Sequence, residues 1–421
     1  MLNSPLDAHY TSLGSALGAV VALSILVVLL EPRLRLLARL RASPSSLKTG
    51  GPPHLYDRLH SALKGSKFTF LARPRGPSAL ADPNPLADLD LKTATTRDHL
   101  YVNKCLRWPY HQTMAHQPMH VNNWIEIDSK YEREMQYKAS VVQRYRDETV
   151  ISLPENDEGA GELLETLVDY LPKRYPTLFA PLPNGGIHNK VLGERHYDLK
   201  GKTGTEALLV ISRLVQDDFL MGREREDGHV YFVGGIVAVP GFYSFKAKVG
   251  KSMREVHEPV PQFNEKILMS VERTLKRFKP EEPFERSSWE IVDDLKAHKH
   301  NIATLEGDEK LADDLHPSDY IFRIDHQTFR KLPKSRAIIF GVHPILRPLS
   351  EFADLPLVPA LLATVHEKGQ ADLMEYKLGF RYQDKLLPYL KELTQSQLDR
   401  GLITGDEDVA EFRALLGKVK A

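Results

Sequence analysis

Residues 208–261 hold the pattern that most narrows the folds open to this chain: LLVISRLVQDDFLMGREREDGHVYFVGGIVAVPGFYSFKAKVGKSMREVHEPVP. LLVISRL and HVYFVGGIVAV are rich in β-branched and aromatic residues and read as strands, with Asp217 and Asp218 in an acidic turn between them. A basic segment carrying Lys246, Lys248 and Lys251 follows. His257 then sits against Glu258 and two prolines, Pro259 and Pro261, which restrict the backbone. The layout predicts one imidazole at the mouth of a pocket with a cationic rim, suited to an anionic cofactor with a metal at its centre.

At 421 residues the chain has room for one large domain or two ordinary ones. Lys plus Arg and Asp plus Glu both number 56, so no net field favours nucleic acid, and none is expected as a partner. The single cysteine, Cys105, excludes an internal disulfide framework and an iron–sulfur cluster held by this chain alone. It reads as a structural cysteine.

No Asp, Glu, Lys or Arg lies between Asp7 and Glu31. The core of that stretch, Leu13 to Leu30, would span roughly 27 Å as a helix, close to the thickness of a bilayer's hydrocarbon layer. Arg33, Arg35, Arg39 and Arg41 follow it, which predicts a single-pass anchor over 13–31. The N-terminus (1–12) is then outside or lumenal and the rest cytoplasmic. Residues 32–99 read as a basic flank and a Pro/Gly-rich linker, 100–400 as the folded domain and 401–421 as a C-terminal helix.

Within the domain, helices are predicted after Asp128, over Gly161–Leu171 with a stop before Pro172, and over Phe263–Phe278. YIFRIDH and RAIIFGV add strands. The expected class is α+β, a mostly antiparallel sheet surrounded by helices. Gly234-Gly235 inside a strand points to a bulge or close backbone approach, since no G-x-G-x-x-G, Walker A, H-E-x-x-H or G-x-S-x-G motif occurs.

Four segments in succession carry a resemblance: WPYHQTM with NNWIEIDSKY; LVQDDFLMG; the basic run ending in VHEPVP, with Arg286 and SSWEI beyond it; and FRIDHQTFRKLPKSRAIIFGVHPILRPL. Together they resemble the haem-dependent oxidative N-demethylase-like family, formerly a domain of unknown function. The resemblance implies a PAS-like sheet, haem b as cofactor and a separate reductase as electron donor. It implies removal of a methyl group from a small secondary amine as formaldehyde.

On that reading His257 is the axial iron ligand, with His343 as the alternative. Lys246, Lys248, Lys251, Arg286 and Arg330 are candidates to hold the propionates. Asp217, Asp218 and Gln327 are candidates to meet the substrate or relay protons, with His326 beside them. Trp108, Tyr110, His111 and Met114 would form an apolar lid. A membrane-anchored haem oxygenase is the leading function; a haem or small-ligand sensor and a non-catalytic tethered scaffold are the alternatives.

Overall fold

The computed structural model describes residues 82–99, 105–296 and 298–412; the apolar run 13–31 lies outside them. Among the described residues, no helix is long and apolar enough to cross a membrane. The strands are β1 (Gln117–Pro118), β2 (Val150–Ser152), β3 (Phe179–Leu182), β4 (Gly186–Asn189), β5 (Glu194–His196), β6 (Asp218–Glu224), β7 (Val230–Ile236), β8 (Phe284–Val292), β9 (Ile321–Lys331) and β10 (Ile338–Pro348). Seven form one sheet in the order β1-β8-β9-β10-β6-β7-β2, and β3-β4-β5 form a small second one. Every pairing is antiparallel. The architecture is α+β.

The β9–β10 hairpin is the spine of the sheet, in register from Ile338↔Lys331 to Pro348↔Ile321. Because side chains alternate along a strand, β9 divides its residues between two faces. Phe322, Ile324, His326, Thr328 and Arg330 lie on one face, and Arg323, Asp325, Gln327 and Phe329 on the other. Helices Tyr131–Arg144, Asp157–Arg174 and Gly204–Ile211 cover part of the first face through Met135, Leu163, Leu167 and Leu208, which share a core with Phe219 of β6. Helices Val358–Lys368 and Gln383–Asp399 pack near Trp289, Phe322 and Ile324. A third apolar cluster, built from Phe245, Val256, Phe263 and Leu275, lies over the second face with Phe284, Phe329 and Val342.

Three local expectations are corrected. LLVISRL is not a strand: Gly204–Ile211 is helical, with Ala207, Leu208 and Ile211 buried. A continuous apolar run has no period that separates a buried strand from a buried helix. The strand begins instead at Asp218, so Asp217 and Asp218 lead into β6, and the true turn closes at Arg225–Gly228. Helix Asp157–Arg174 runs through Pro172 rather than stopping before it. Pro172 stands in its last turn, where the missing N–H removes one backbone bond and no more.

Gly235 has φ 147°, and a Cβ there would lie 2.1 Å from the Phe219 carbonyl oxygen. The register of β6 on β7 shifts close by, between Met221 and Gly222. Only glycine permits so close an approach of two backbones.

Residues 82–99 fall in the stretch read as linker, yet they are built into the body. The Leu86 N–H donates to the Arg174 carbonyl at 2.8 Å, and Leu86, Leu89 and Leu91 pack on the core. Over 401–412 the chain forms turns and the short 3-10 helix Val409–Glu411; the remainder of the stretch read as a C-terminal helix lies outside the described residues.

Candidate cofactor cavity

A cavity of about 650 Å³ opens on the second face of the sheet, within the range of about 300–1,000 Å³ common for small-ligand sites. Strand register sets its floor in rows. Phe329 and Phe340 form one, their rings 4.7 Å apart, with Phe284 stacked on Phe329 at 4.6 Å outside the lining. Arg286, Gln327 and Val342 form the next. Ser288 then faces Asp325, and Glu290 faces Arg323. The floor thus changes from aromatic to ionic across four pairs of residues.

His257 is placed by one turn of helix, Met253–Val256, started by a capping box. The Ser252 N–H donates to Glu255 Oε2 at 2.7 Å, and the Glu255 N–H donates to Ser252 Oγ at 3.4 Å. Beyond it, the His257 Nδ1–H donates to the Met253 carbonyl at 2.9 Å. A carbonyl only accepts, so the proton is on Nδ1 and the Nε2 lone pair is free. The ring stacks on Phe263 at 4.1 Å and lines the cavity. Burial lowers its pKa to about 4, helped by Lys248 and Arg286 and only partly offset by the Met253 carbonyl. The imidazole is therefore neutral near pH 7.

Six cations line the cavity, Arg107, Lys248, Lys251, Arg286, Arg323 and Lys377, of which Lys248 and Arg286 act on the His257 ring. Burial, with Lys251 nearby, lowers Lys248 to about 8, and its ammonium caps the Tyr243 ring at 4.5 Å. Burial also pushes Arg286 below its ordinary value; the charges acting on it are those of Tyr110, Cys105 and Arg107, with no carboxylate among them. Its Nε has no hydrogen-bond partner. A buried guanidinium in that state is a ready site for an anion.

Of the residues singled out from the sequence, the cavity brings together His257, Lys248, Lys251, Arg286 and Gln327, with Cys105, Tyr110, His111 and Met114. Gln327 donates to Ser288 Oγ at 3.1 Å. Others stand elsewhere. Lys246 is exposed outside the lining. Arg330 lies over the Trp124 ring at 3.9 Å, on the far face. Asp217 pairs with His343 at 3.4 Å, both buried, and Asp218 pairs with Lys138 at 3.0 Å while accepting the Val239 N–H at 2.7 Å. None of Asp217, Asp218, His343, Trp108 and His326 lines the cavity.

Glu290 and Asp325 are acidic lining residues that the sequence reading missed. Burial, with Asp325 nearby, raises Glu290 to about 7 against the pull of Lys377. Their signal was alternation: Arg286, Ser288 and Glu290 occupy every second position of β8, as Arg323, Asp325 and Gln327 do on β9. Arg323 is fixed by Asp325 at 2.9 Å, His300 at 3.0 Å and the Val239 carbonyl at 2.9 Å.

The cavity sets the His257 imidazole and several cations against one face of a helix-flanked antiparallel sheet. A family model covers most of this sheet: the chain belongs to the haem-dependent oxidative N-demethylase, alpha subunit-like family, whose model matches residues 115–387.

Proposed function

We propose that this chain is a haem-dependent oxidative N-demethylase-like enzyme acting on a small amine, with haem b in the 650 Å³ cavity. The observation that carries the reading is the His257 imidazole, whose tautomer is fixed by Met253 and whose Nε2 lone pair is unclaimed beside Arg286. Second-atom hydrogen bonding of this kind orients metal-ligating histidines in general. His257 would be the axial ligand, and Arg286, Lys248, Lys251 and Arg107 would hold the propionates. Phe329 and Phe340 would offer the group an apolar wall. Bound haem would supply dioxygen activation and the redox chemistry.

The remaining steps belong to the protein. Glu290 and Asp325 offer carboxylates to a cationic amine. Glu290, ionising near neutrality, can hold or release a proton in a water-poor cavity. Gln327, fixed by Ser288, presents an amide without adding charge. Electrons would come from a separate partner, in line with the alpha-subunit description of the family. We propose the run 13–31, uncharged up to Glu31, as a membrane tether, with the catalytic domain cytoplasmic; both rest on charge pattern alone.

The test is an absorption spectrum of the haem-supplemented full chain, wild type beside His257→Ala and Arg286→Leu. A Soret band in the wild type that shifts or disappears in His257→Ala, with about tenfold weaker haem retention in Arg286→Leu, is the expected result. No band in the wild type, or an unchanged one in His257→Ala, overturns the assignment.

A further inference from the structure

On the face of the sheet opposite the cavity, three buried side chains converge: His99 from the N-terminal segment, Glu126 from the loop before helix Tyr131–Arg144, and His326 from β9. Their nearest nitrogen and oxygen atoms all lie within 4.8 Å of one another. His99 Nε2 is 3.1 Å from Glu126 Oε1, and His326 Nδ1 is 3.9 Å from the same oxygen. Donors in a tetrahedral site with bonds near 2.0 Å stand about 3.3 Å apart, so small side-chain shifts close this set.

Two features separate the cluster from an ordinary buried ion pair. His99 is 1% exposed; its Nδ1 has no hydrogen-bond partner, and its Nε2 meets only Glu126 Oε1, at 3.1 Å. Native structures seldom bury an imidazole nitrogen without a partner. His326, in turn, is held from behind: its Nε2 is 2.9 Å from Glu285 Oε2. A carboxylate only accepts, so Nε2 donates to Glu285 and Nδ1 is the ring nitrogen that faces Glu126. That is the carboxylate–histidine arrangement that sets the tautomer of metal ligands. Arg97 and Gln117 anchor Glu285 in its turn.

Charge supports the same conclusion. Arg97 contacts both carboxylates, at 2.7 Å to Glu126 and 2.8 Å to Glu285, but supplies one positive charge against two.

We infer that His99, Glu126 and His326 form a second metal site, for a divalent transition ion of the Zn²⁺ class, that fastens the N-terminal segment to the sheet. Two imidazoles and a carboxylate are a ligand set that Zn²⁺ takes. His99 lies before the matched residues 115–387, so the site joins a segment outside the family match to its core. The inference is independent of the haem reading, since the two sites occupy opposite faces of the sheet.

The experiment is elemental analysis of the purified full chain for zinc alongside iron, with Co²⁺ titration of chelator-stripped protein, for wild type and His99→Ala. The expected result is about one zinc per chain in the wild type and visible Co²⁺ d–d bands that saturate at one equivalent. In His99→Ala, affinity falls at least tenfold while any Soret band is unchanged. The wild-type melting temperature falls on chelation, and that of His99→Ala does not move. Absence of both zinc and Co²⁺ bands in the wild type overturns the site even if the variant fails to fold. Equal binding by a folded His99→Ala overturns the assignment of this ligand.

Discussion

Glu290 has the lining carboxyl whose charge turns over nearest neutrality. Burial raises it to about 7, and Lys377 only partly restores the ionised form. The sign of the pH effect follows. A carboxyl raised from about 4.5 to about 7 on folding stabilises the protein fully below pH 4.5, and that contribution is lost as pH rises to 7. Urea melts should therefore show wild type losing stability between pH 5 and 8 by up to roughly 3 kcal/mol, while Glu290→Gln stays flat over that window. If ionised Glu290 also meets a cationic amine, amine binding should strengthen above pH 7 in wild type and not in the variant. A binding titration at pH 6 and pH 8 reads this directly. His257 was legible in the sequence because the prolines and lysines around it mark a fixed turn in a basic setting. Glu290 was not, because nothing in SSWEI tells which of its two faces meets empty space.

At the scale of the element, the single helical turn Met253–Val256 is the platform of the proposed ligand, and such a turn cannot sustain itself by backbone bonding. Its capping box is what starts it. Ser252→Ala should cost about 1 kcal/mol in thermal or urea melts and should speed haem loss from the full chain; Ser252→Thr, which can rebuild the cap, should restore both. An unchanged off-rate in Ser252→Ala would show that Phe263 and the cavity walls hold the ring without the cap. Strands β9 and β10 were readable in part from the β-branched and aromatic residues of YIFRIDH and RAIIFGV, but their eleven-residue pairing was not, since β9 is buried on both faces and shows no clean alternation. LLVISRL was not readable, because the half-buried Leu209 and Val210 are as apolar as the buried Leu208 and Ile211 and hide the helical period. Pro172 misled for a different reason: its place near the helix end reduces the penalty that stops a helix elsewhere.

At the scale of the molecule, the floor of the cavity is assembled from residues 284–292, 321–331 and 338–348, and the long-range register that joins them appears in no local pattern. The same holds for its other face, where Arg97 crosses to Glu285 over a sequence gap of 188 residues. That crossing makes a prediction about the whole chain. Arg97 is 31% exposed by side chain, while Glu285 is 2% exposed, so its removal strands a carboxylate with little access to water. Losing one partner of a buried pair costs about 3–5 kcal/mol, and partial exposure of Arg97 places the expected loss for Arg97→Met at the lower end. His326, Arg97 and Gln117 hold Glu285 down at about 2 despite burial. A depressed carboxyl contributes stability above its unfolded pKa near 4.5 and loses it as pH falls toward 2. The gap between wild type and Arg97→Met should accordingly be widest at pH 7 and narrow by pH 3, measured with a chelator present so that no metal masks it. A gap that stays constant across that range would mean Arg97 acts by packing its aliphatic stem and not by its charge.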